Sequence, residues 1–489
     1  MRFADWTPSA PARVVDLRSD LALVQLANYY EGARPGVAHE VFGQAYTLGA
    51  QTAIIEYRYL DANYRSEHSS FYSITFRRYP SVAHRIHFFA QEQPDELADP
   101  NAVLDFSTMS DNYLGFVVLR PVPGAPIGRV ALAPPSQFAS EVTCITEERT
   151  NVFGVPMRVG SAPFMAQDSQ LGVCAHMSLW TAARHHHLAF GHPDFTVAAI
   201  AESIPAEMGR VAPSTGLTVH QLAAGCRALG LPALIYKCDP LQDLPAEESI
   251  PRIACRYLNS GMPVIVAAGS RHAFCVVGYT RVHAGTSDER IHFIRQDDER
   301  GPYQVVEDFA HDDYGTWQYL IVPLPSKIFV PGETAESLGK ETLIAAAAGA
   351  TDPAAADIAE AGRDERGLIT FRSAVVRSNR FKEGLPERGY APEIVARYRR
   401  LPMPRWLWVV EAVRRPERNN RAKAVVGEAL IDATDHGRDM NVLAWHVPGE
   451  LGMWNPDEDQ SSTVVVPTQD VVETVARYIY DKPLSKPPA

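Results

Sequence analysis

Hydrophobic residues follow a two-residue period over much of the first 150 residues. Partial alternation of β-branched or aromatic residues with polar ones is typical of half-buried strands. Strands are predicted on this basis over 52–60, 71–77, 84–89 and 114–120. We therefore expect residues 1–150 to form a β-rich region of strands and loops. The proline-rich stretch 121–126 cannot continue a sheet and is expected to be a surface connection.

The clearest pattern lies in the middle of the chain. Two apolar, β-branched runs, 264–268 and 273–279, are separated by a short segment that contains glycine. This pattern predicts a buried hairpin, with His272 at the start of its second strand. A further strand is predicted over 291–295, followed directly by Gln296, Asp297 and Asp298.

After about residue 325 the composition changes. Alanine and aspartate dominate residues 345–367, so we expect a helix end followed by a link, and we treat 326–367 as a linker. The remaining stretch, 368–489, alternates between strand-like and helix-like segments, which favours an α+β domain with an antiparallel sheet. Its strands are predicted over 368–372, 406–410, 424–427, 442–445 and 463–466, and its helix over 392–398.

One cysteine stands where a nucleophile would be placed. Residues 175–184 contain neither proline nor glycine, which predicts a helix with Cys174 at its start. A helix N-terminus and a nearby imidazole both lower the pKa of a thiol, so we expect Cys174 to titrate below the ~8.5 of a free cysteine. Acyl transfer also needs a second donor to the oxyanion. We favour Gln167 for that role over its rival Gln170.

His272 is the candidate base, and a carboxylate at the end of the next strand would orient it. Asp297 and Asp298 are both available. Because side chains alternate along a strand, we expect only one of them to face His272. The residue nearer the strand, Asp297, is the predicted third member of the triad.

These segments resemble the papain-like cysteine peptidase superfamily. The resemblance is to the compact bacterial branch that includes the bacteriocin-processing peptidase domains of export transporters. That pattern has a glutamine six or seven residues before the cysteine, a Gly-x-Pro strand, and His-Ala-x-x-Val-Val-Gly-Tyr followed by Asn or Asp. Here Gln167, Cys174, the tripeptide 261–263, the run 272–279 and Asp297 occupy those places.

The resemblance covers about residues 151–325 and implies a papain-like central domain, in which the cysteine helix packs on an antiparallel sheet. The chain departs from the pattern in two places. Ala175 stands where glycine often follows the nucleophile. The family's Asn-Ser-Trp-Gly motif is replaced by the different sequence of residues 297–303. The overall fold class expected is α+β, with a β-rich N-terminal region and an α+β C-terminal domain.

The leading function is therefore a cysteine peptidase or isopeptidase acting on a protein or peptide substrate. An acyl transferase or side-chain deamidase would use the same triad, and a non-catalytic binding protein could keep the fold, so both alternatives stay open. The N-terminal or C-terminal region could also bind a protein partner. We expect no cofactor and no metal, because consecutive helical histidines such as 185–187 diverge and cannot share one ion. His176, two residues after Cys174, points away from it and is a poor base.

Length and composition indicate the number of domains, the kind of partner and the cellular compartment. The 489 residues suggest two or three domains. A net charge of −12 argues against nucleic acid as a partner. Six cysteines at no scaffold-like spacing favour a reducing compartment, and five of them are expected to be buried and inert. No run approaches the ~18 apolar residues of a membrane span, so a cytoplasmic protein without a membrane partner is expected.

Overall fold

The computed structural model shows an α+β protein built from three six-stranded antiparallel sheets and one separate hairpin within its described residues. It describes residues 6, 8, 10–19, 21–31, 36–99, 109–168, 170–204, 216–238, 248–269, 272–282, 290–310, 312–361, 369–388, 390–414, 425–435, 442–455 and 460–465.

The N-terminal sheet has the strand order β1-β2-β3-β4-β5-β8 and apolar cores on both of its faces. Its elements and the hairpin are β1 (Ala12–Asp16), α1 (Ala22–Glu31), α2 (Val37–Thr47), β2 (Thr52–Tyr59), α3 (Ala62–Ser70), β3 (Ala83–Phe89), β4 (Tyr113–Leu119), β5 (Ile127–Leu132), β6 (Thr146–Val152), β7 (Val155–Ser161) and β8 (Phe164–Met165). Three predicted strands are confirmed as β2, β3 and β4. The three helices were not predicted.

The predicted strand 71–77 is wrong. Its first part is a short 3-10 helix, Tyr72–Ile74, followed by bends. Tyr72, Ile74 and Phe76 would share one face of a strand, yet only Tyr72 is buried, whereas Ile74 is 79% and Phe76 106% exposed. Alternation of apolar residues here does not reflect one buried face.

The N-terminal unit also ends later than residue 150. That position falls inside β6 of the β6–β7 hairpin, and β8, at residues 164–165, pairs with β5 to complete the first sheet. The sheet edge therefore lies only a few residues before the segment that carries Cys174.

The central unit holds the second sheet, with the order β13-β12-β11-β10-β14-β9. Its elements are α4 (Cys174–Phe190), α5 (Val197–Ser203), α6 (Val219–Ala228), β9 (Ala233–Lys237), α7 (Ile250–Asn259), β10 (Val264–Ala268), β11 (His272–Val282), β12 (Arg290–Asp297), β13 (Gly301–Val306) and β14 (Trp317–Pro323). The predicted helix, hairpin and following strand are confirmed as α4, β10–β11 and β12. Helix α4 packs against β11, and the backbone N–H of Ala273 in that strand reaches Cys174, the first residue of the helix.

The third sheet is a meander from β15 to β20. The last elements are α8 (Gly332–Gly349), α9 (Ala356–Glu360), β15 (Ile369–Arg377), α10 (Ser378–Gly384), α11 (Pro392–Arg400), β16 (Trp406–Arg414), β17 (Val425–Asp432), β18 (Val442–Val447), β19 (Glu450–Asn455) and β20 (Gln460–Val465). The predicted antiparallel sheet and the helix at 392–398 are confirmed. Leu368, Ala424 and residues 466–489 lie outside the described residues.

The segment 326–367, expected to be a linker, is largely ordered against its neighbours. Helix α8 packs on the third sheet so closely that a Cβ at Gly339 would lie 2.5 Å from Val410. Glu336 on the same helix pairs with Arg256 of α7 at 3.2 Å. The helix therefore joins the central and C-terminal units, while residues 362–368 lie outside the described part. Among the residues described, no helix combines the length and apolar character needed to cross a membrane.

Candidate active site

Cys174 is placed by a loop that is anchored just before helix α4. The Oδ1 atom of Asp168 accepts the backbone N–H groups of Gln170, Leu171 and Gly172 at 3.1, 3.1 and 2.8 Å. A Cβ at Gly172 would lie 2.5 Å from the terminal methyl of Met177 and 3.2 Å from a methyl of Val197, so the loop returns close to the helices at this point. The chain then enters the helix at Cys174.

The thiol of Cys174 lies at the helix N-terminus as predicted, but its resting pKa is not lowered. Burial raises the pKa of Cys174 to about 12 and the negative charge of Asp298 adds to this, whereas the backbone N–H groups of Ala273 and Ala175 oppose it. The expectation of a pKa below that of a free cysteine is therefore wrong for the resting protein. Desolvation outweighs the helix terminus.

His272 is held at the mouth of the β10–β11 hairpin. It is the first residue of β11 and pairs in register with Ala268. Gly269 lies at φ +55°, and a Cβ there would be 2.0 Å from the carbonyl oxygen of Tyr314. This close approach brings the Tyr314 ring over the imidazole, with ring centroids 3.8 Å apart and planes inclined by 25°. The stacked ring fixes the plane in which the imidazole can turn.

Asp297 orients the imidazole. Its Oδ1 lies 3.2 Å from Nε2 of His272, and it also accepts the backbone N–H of Glu299 at 3.1 Å and the Tyr314 hydroxyl at 3.3 Å. Burial alone would raise the pKa of this carboxyl, but the hydrogen bond and charge of His272, helped by Arg295, hold it below its usual value. An ionised Asp297 leaves Nδ1 of His272 as the nitrogen available to another group.

A buried arginine balances this carboxylate. The Nε atom of Arg295 lies 3.2 Å from Oδ2 of Asp297, and its Nη1 donates to both oxygens of Asp312 at 2.8 Å. Asp312 therefore occupies Nη1 of the guanidinium, while Oδ1 of Asp297 remains within 3.2 Å of His272.

Asp298 lies beside Asp297 rather than turned away from it. The donor atoms of His272, Asp297 and Asp298 all lie within 4.8 Å of one another, so these three residues could hold a metal ion. The expectation that only one aspartate could face His272 is wrong, because β12 ends at Asp297 and strand alternation no longer applies to Asp298. Burial and then the charges of Asp297 and Glu299 raise the pKa of Asp298 well above its usual value.

The structure brings Gln167 to the same place. Its Nε2 donates to Oε1 of Glu299 at 2.9 Å, in the turn that follows β12. Gln170 instead contributes its backbone N–H to the Asp168 loop. Gln167 is thus the glutamine whose side-chain amide reaches the turn next to the His272–Asp297 pair, and in the resting structure that amide is engaged by an exposed carboxylate.

Sequence reasoning missed the residues that hold this loop from the N-terminal unit. Arg120 donates to the carbonyl oxygens of Ala166 at 3.0 Å and Gln167 at 3.2 Å, and Tyr72 donates to Oδ2 of Asp168 at 2.6 Å. Arg120, Tyr72 and Asp168 are all buried. Arginine and aspartate are almost never fully buried without a partner, but no local pattern identifies which ones are.

The remaining cysteines and histidines have structural roles. All six cysteines lie in the described residues and none forms a disulfide, and the five other than Cys174 are buried as predicted. Three consecutive histidines in a helix would be expected to form a polar face, but His185 and His186 are buried and direct their Nε2 atoms at the carbonyl oxygens of Gly261 and Pro323. His176 is also buried, and burial lowers its pKa to about 4.

Comparison with known protein families and with curated proteins finds no match to this chain.

Proposed function

We propose that this chain is a thiol hydrolase with a papain-like central unit, acting as a cysteine peptidase or isopeptidase on a protein or peptide substrate. The observation that carries the proposal is the 3.2 Å contact between Nε2 of His272 and Oδ1 of Asp297. Their chain neighbours Ala273 and Asp298 both act on the Cys174 thiol, Ala273 through its backbone N–H and Asp298 through its charge. A base oriented by a carboxylate, next to a cysteine at a helix start, is the arrangement that acyl transfer to a thiol needs.

The proposed reaction begins with proton transfer from Cys174 to Nδ1 of His272. The sulfur then forms a bond to the substrate carbonyl carbon, and the carbonyl electron pair moves to the oxygen. The Gln167 amide and the backbone N–H of Cys174 hold that oxyanion. When the C–N bond breaks, His272 gives its proton to the departing amine. Water, deprotonated by the same imidazole, then cleaves the thioester and restores the thiol.

The buried thiol fits a mechanism in which the thiolate forms only when the imidazole accepts its proton. Asp297 supports the imidazolium that results, since its ionised carboxylate is already within hydrogen-bond reach. When the substrate binds, the Gln167 amide must also release Glu299 and donate its hydrogen bond to the substrate oxygen instead. A reducing, cytoplasmic setting would keep the thiol available.

The test is hydrolysis of peptide and ubiquitin-like substrates by the full chain, with products read by mass spectrometry. Cys174→Ala and His272→Ala should each abolish turnover, and the double variant should be little worse than either, because the two act in one step. The control Cys238→Ala removes a thiol outside the site and should keep activity. Deamidated or cross-linked products without chain cleavage would instead favour the deamidase or transferase alternative. A wild-type protein inert towards both substrates and electrophilic thiol probes would refute thiol catalysis.

A further inference from the structure

We propose that His272, Asp297 and Asp298 form a divalent-cation site for an ion of the Zn²⁺ type, and that the bound ion blocks the thiol chemistry. The binding claim stands on the three side chains alone. The inhibitory claim rests on the proposed function.

The three side chains have nearly the spacing that a zinc ion needs. Nitrogen and oxygen ligands lie about 2.0–2.2 Å from Zn²⁺, so the ligand atoms of one ion are about 3–3.5 Å apart. His272 Nε2 and Asp297 Oδ1 are already 3.2 Å apart. The three donor atoms lie within 4.8 Å of one another, so a small rotation of Asp298 would close the set.

The carboxylate of Asp298 is buried with both of its oxygens unsatisfied by the described residues. Asp298 is only 4% exposed, and neither of its carboxylate oxygens accepts a hydrogen bond from another residue in the described part of the chain. Asp297 beside it is fully buried. Two adjacent buried carboxyl groups are costly unless a positive charge compensates them, and a cation would satisfy both.

Positive charge from the protein reaches Asp297, through Nε of Arg295 at 3.2 Å, but among the described residues no such ion pair is made by Asp298. The Nη1 of Arg295 is committed to Asp312, with both contacts at 2.8 Å. Arg300 lies further out and pairs with the exposed Asp313 at 2.9 Å. The carboxyl of Asp298 is therefore left as the uncompensated acceptor that faces the imidazole.

The types of ligand atom determine which divalent ion the site prefers. One imidazole nitrogen with carboxylate oxygens suits Zn²⁺ and neighbouring first-row ions, whereas Ca²⁺ and Mg²⁺ prefer oxygen ligands throughout. An ion bound here takes Nε2 of His272 away from Asp297 Oδ1. The imidazole then loses the hydrogen bond to Asp297 that orients it towards Cys174.

The experiment is equilibrium dialysis of the chelator-stripped full chain against Zn²⁺. Wild type should bind one ion per chain. Asp298→Asn should weaken binding by about tenfold or more, since altering even an outer-shell partner costs ~10–100-fold. The matched control Asp313→Asn removes an exposed carboxylate and should bind as wild type does. Wild type without stoichiometric binding, or Asp298→Asn binding like wild type, overturns the site.

Two further measurements keep the test decisive. Co²⁺ bound to wild type should show weak d–d absorption without an intense thiolate charge-transfer band, and such a band would overturn the proposed ligand set even if Asp298→Asn fails to fold. Cys174→Ala should bind Zn²⁺ like wild type. Because that variant is inactive by design, metal binding is scored apart from turnover. Zn²⁺ binding without any hydrolysis refutes the proposed function alone, and hydrolysis without Zn²⁺ binding refutes the site alone.

Discussion

Replacing Tyr72 by phenylalanine tests how the N-terminal unit holds the loop in front of Cys174. The Tyr72 hydroxyl donates to Oδ2 of Asp168 at 2.6 Å, and both residues are buried. Phenylalanine keeps the ring and its packing and removes only that hydroxyl. The backbone N–H groups that bind the other oxygen of Asp168 stay in place.

The size of the effect follows from the charge on the acceptor. A hydrogen bond to a charged group contributes about 1.5–3 kcal/mol, so the free energy that keeps this loop closed should fall by about 2 kcal/mol in Tyr72→Phe. That change increases the fraction of open loop by about 30-fold. The hydroxyl matters because its loss leaves one oxygen of a buried carboxylate without a partner.

Hydrogen exchange measures the opening directly. The amides of Leu171 and Gly172, which donate to Asp168 at 3.1 and 2.8 Å, should exchange faster by that factor. Tyr46→Phe is the matched control, because the Tyr46 ring is 56% exposed and its variant should leave exchange unchanged. Unchanged exchange at 171–172 in Tyr72→Phe, or an equal increase in the control, would refute the reasoning. Loss of an oxyanion donor lowers kcat by ~10²-fold or more. Tyr72→Phe leaves that donor in place, so its kcat should fall by less.

Three other outcomes are expected. Gln167→Ala should lower kcat by about 10²–10³-fold with Gln170→Ala near wild type, and equal losses would contradict the oxyanion assignment. Asp297→Ala should lower kcat by about 10²–10⁴-fold, and Asp297→Asn should keep more activity because an amide oxygen still accepts the imidazole N–H. Burial lowers the pKa of His446 from 6.5 to about 4, so stability present above pH 6.5 is lost as the pH falls towards 4. In His446→Phe the free energy of unfolding should decrease by up to about 3 kcal/mol less than in wild type over this pH range. The urea midpoint, measured as a function of pH, should therefore drop less steeply, and the same drop as in wild type would contradict the prediction.

Local patterns predicted the elements that carry the candidate site. The apolar runs of β10 and β11, the glycine-containing connection and the uninterrupted helix after Cys174 are properties of short segments, and each was found where the pattern placed it. The Asp297 position could be proposed because it ends a predicted strand. Helices α1–α3 were not predicted, although the buried residues of α1, Leu23, Leu26, Ala27 and Tyr30, recur at helical spacing.

The sequence by itself determined the periodicity of most strands and the order of Cys174, His272 and Asp297, because backbone geometry sets which residues share a face within one element. Only the tertiary structure decided what desolvation does to these groups. Burial raises the pKa of the Cys174 thiol, and in the described part of the chain the Asp298 carboxylate accepts no hydrogen bond from another residue, although both residues look ordinary in the sequence. Such effects depend on neighbours from other elements, as when Asp298 after β12 and Ala273 in β11 act on Cys174 in α4, and no spacing within one segment encodes those contacts.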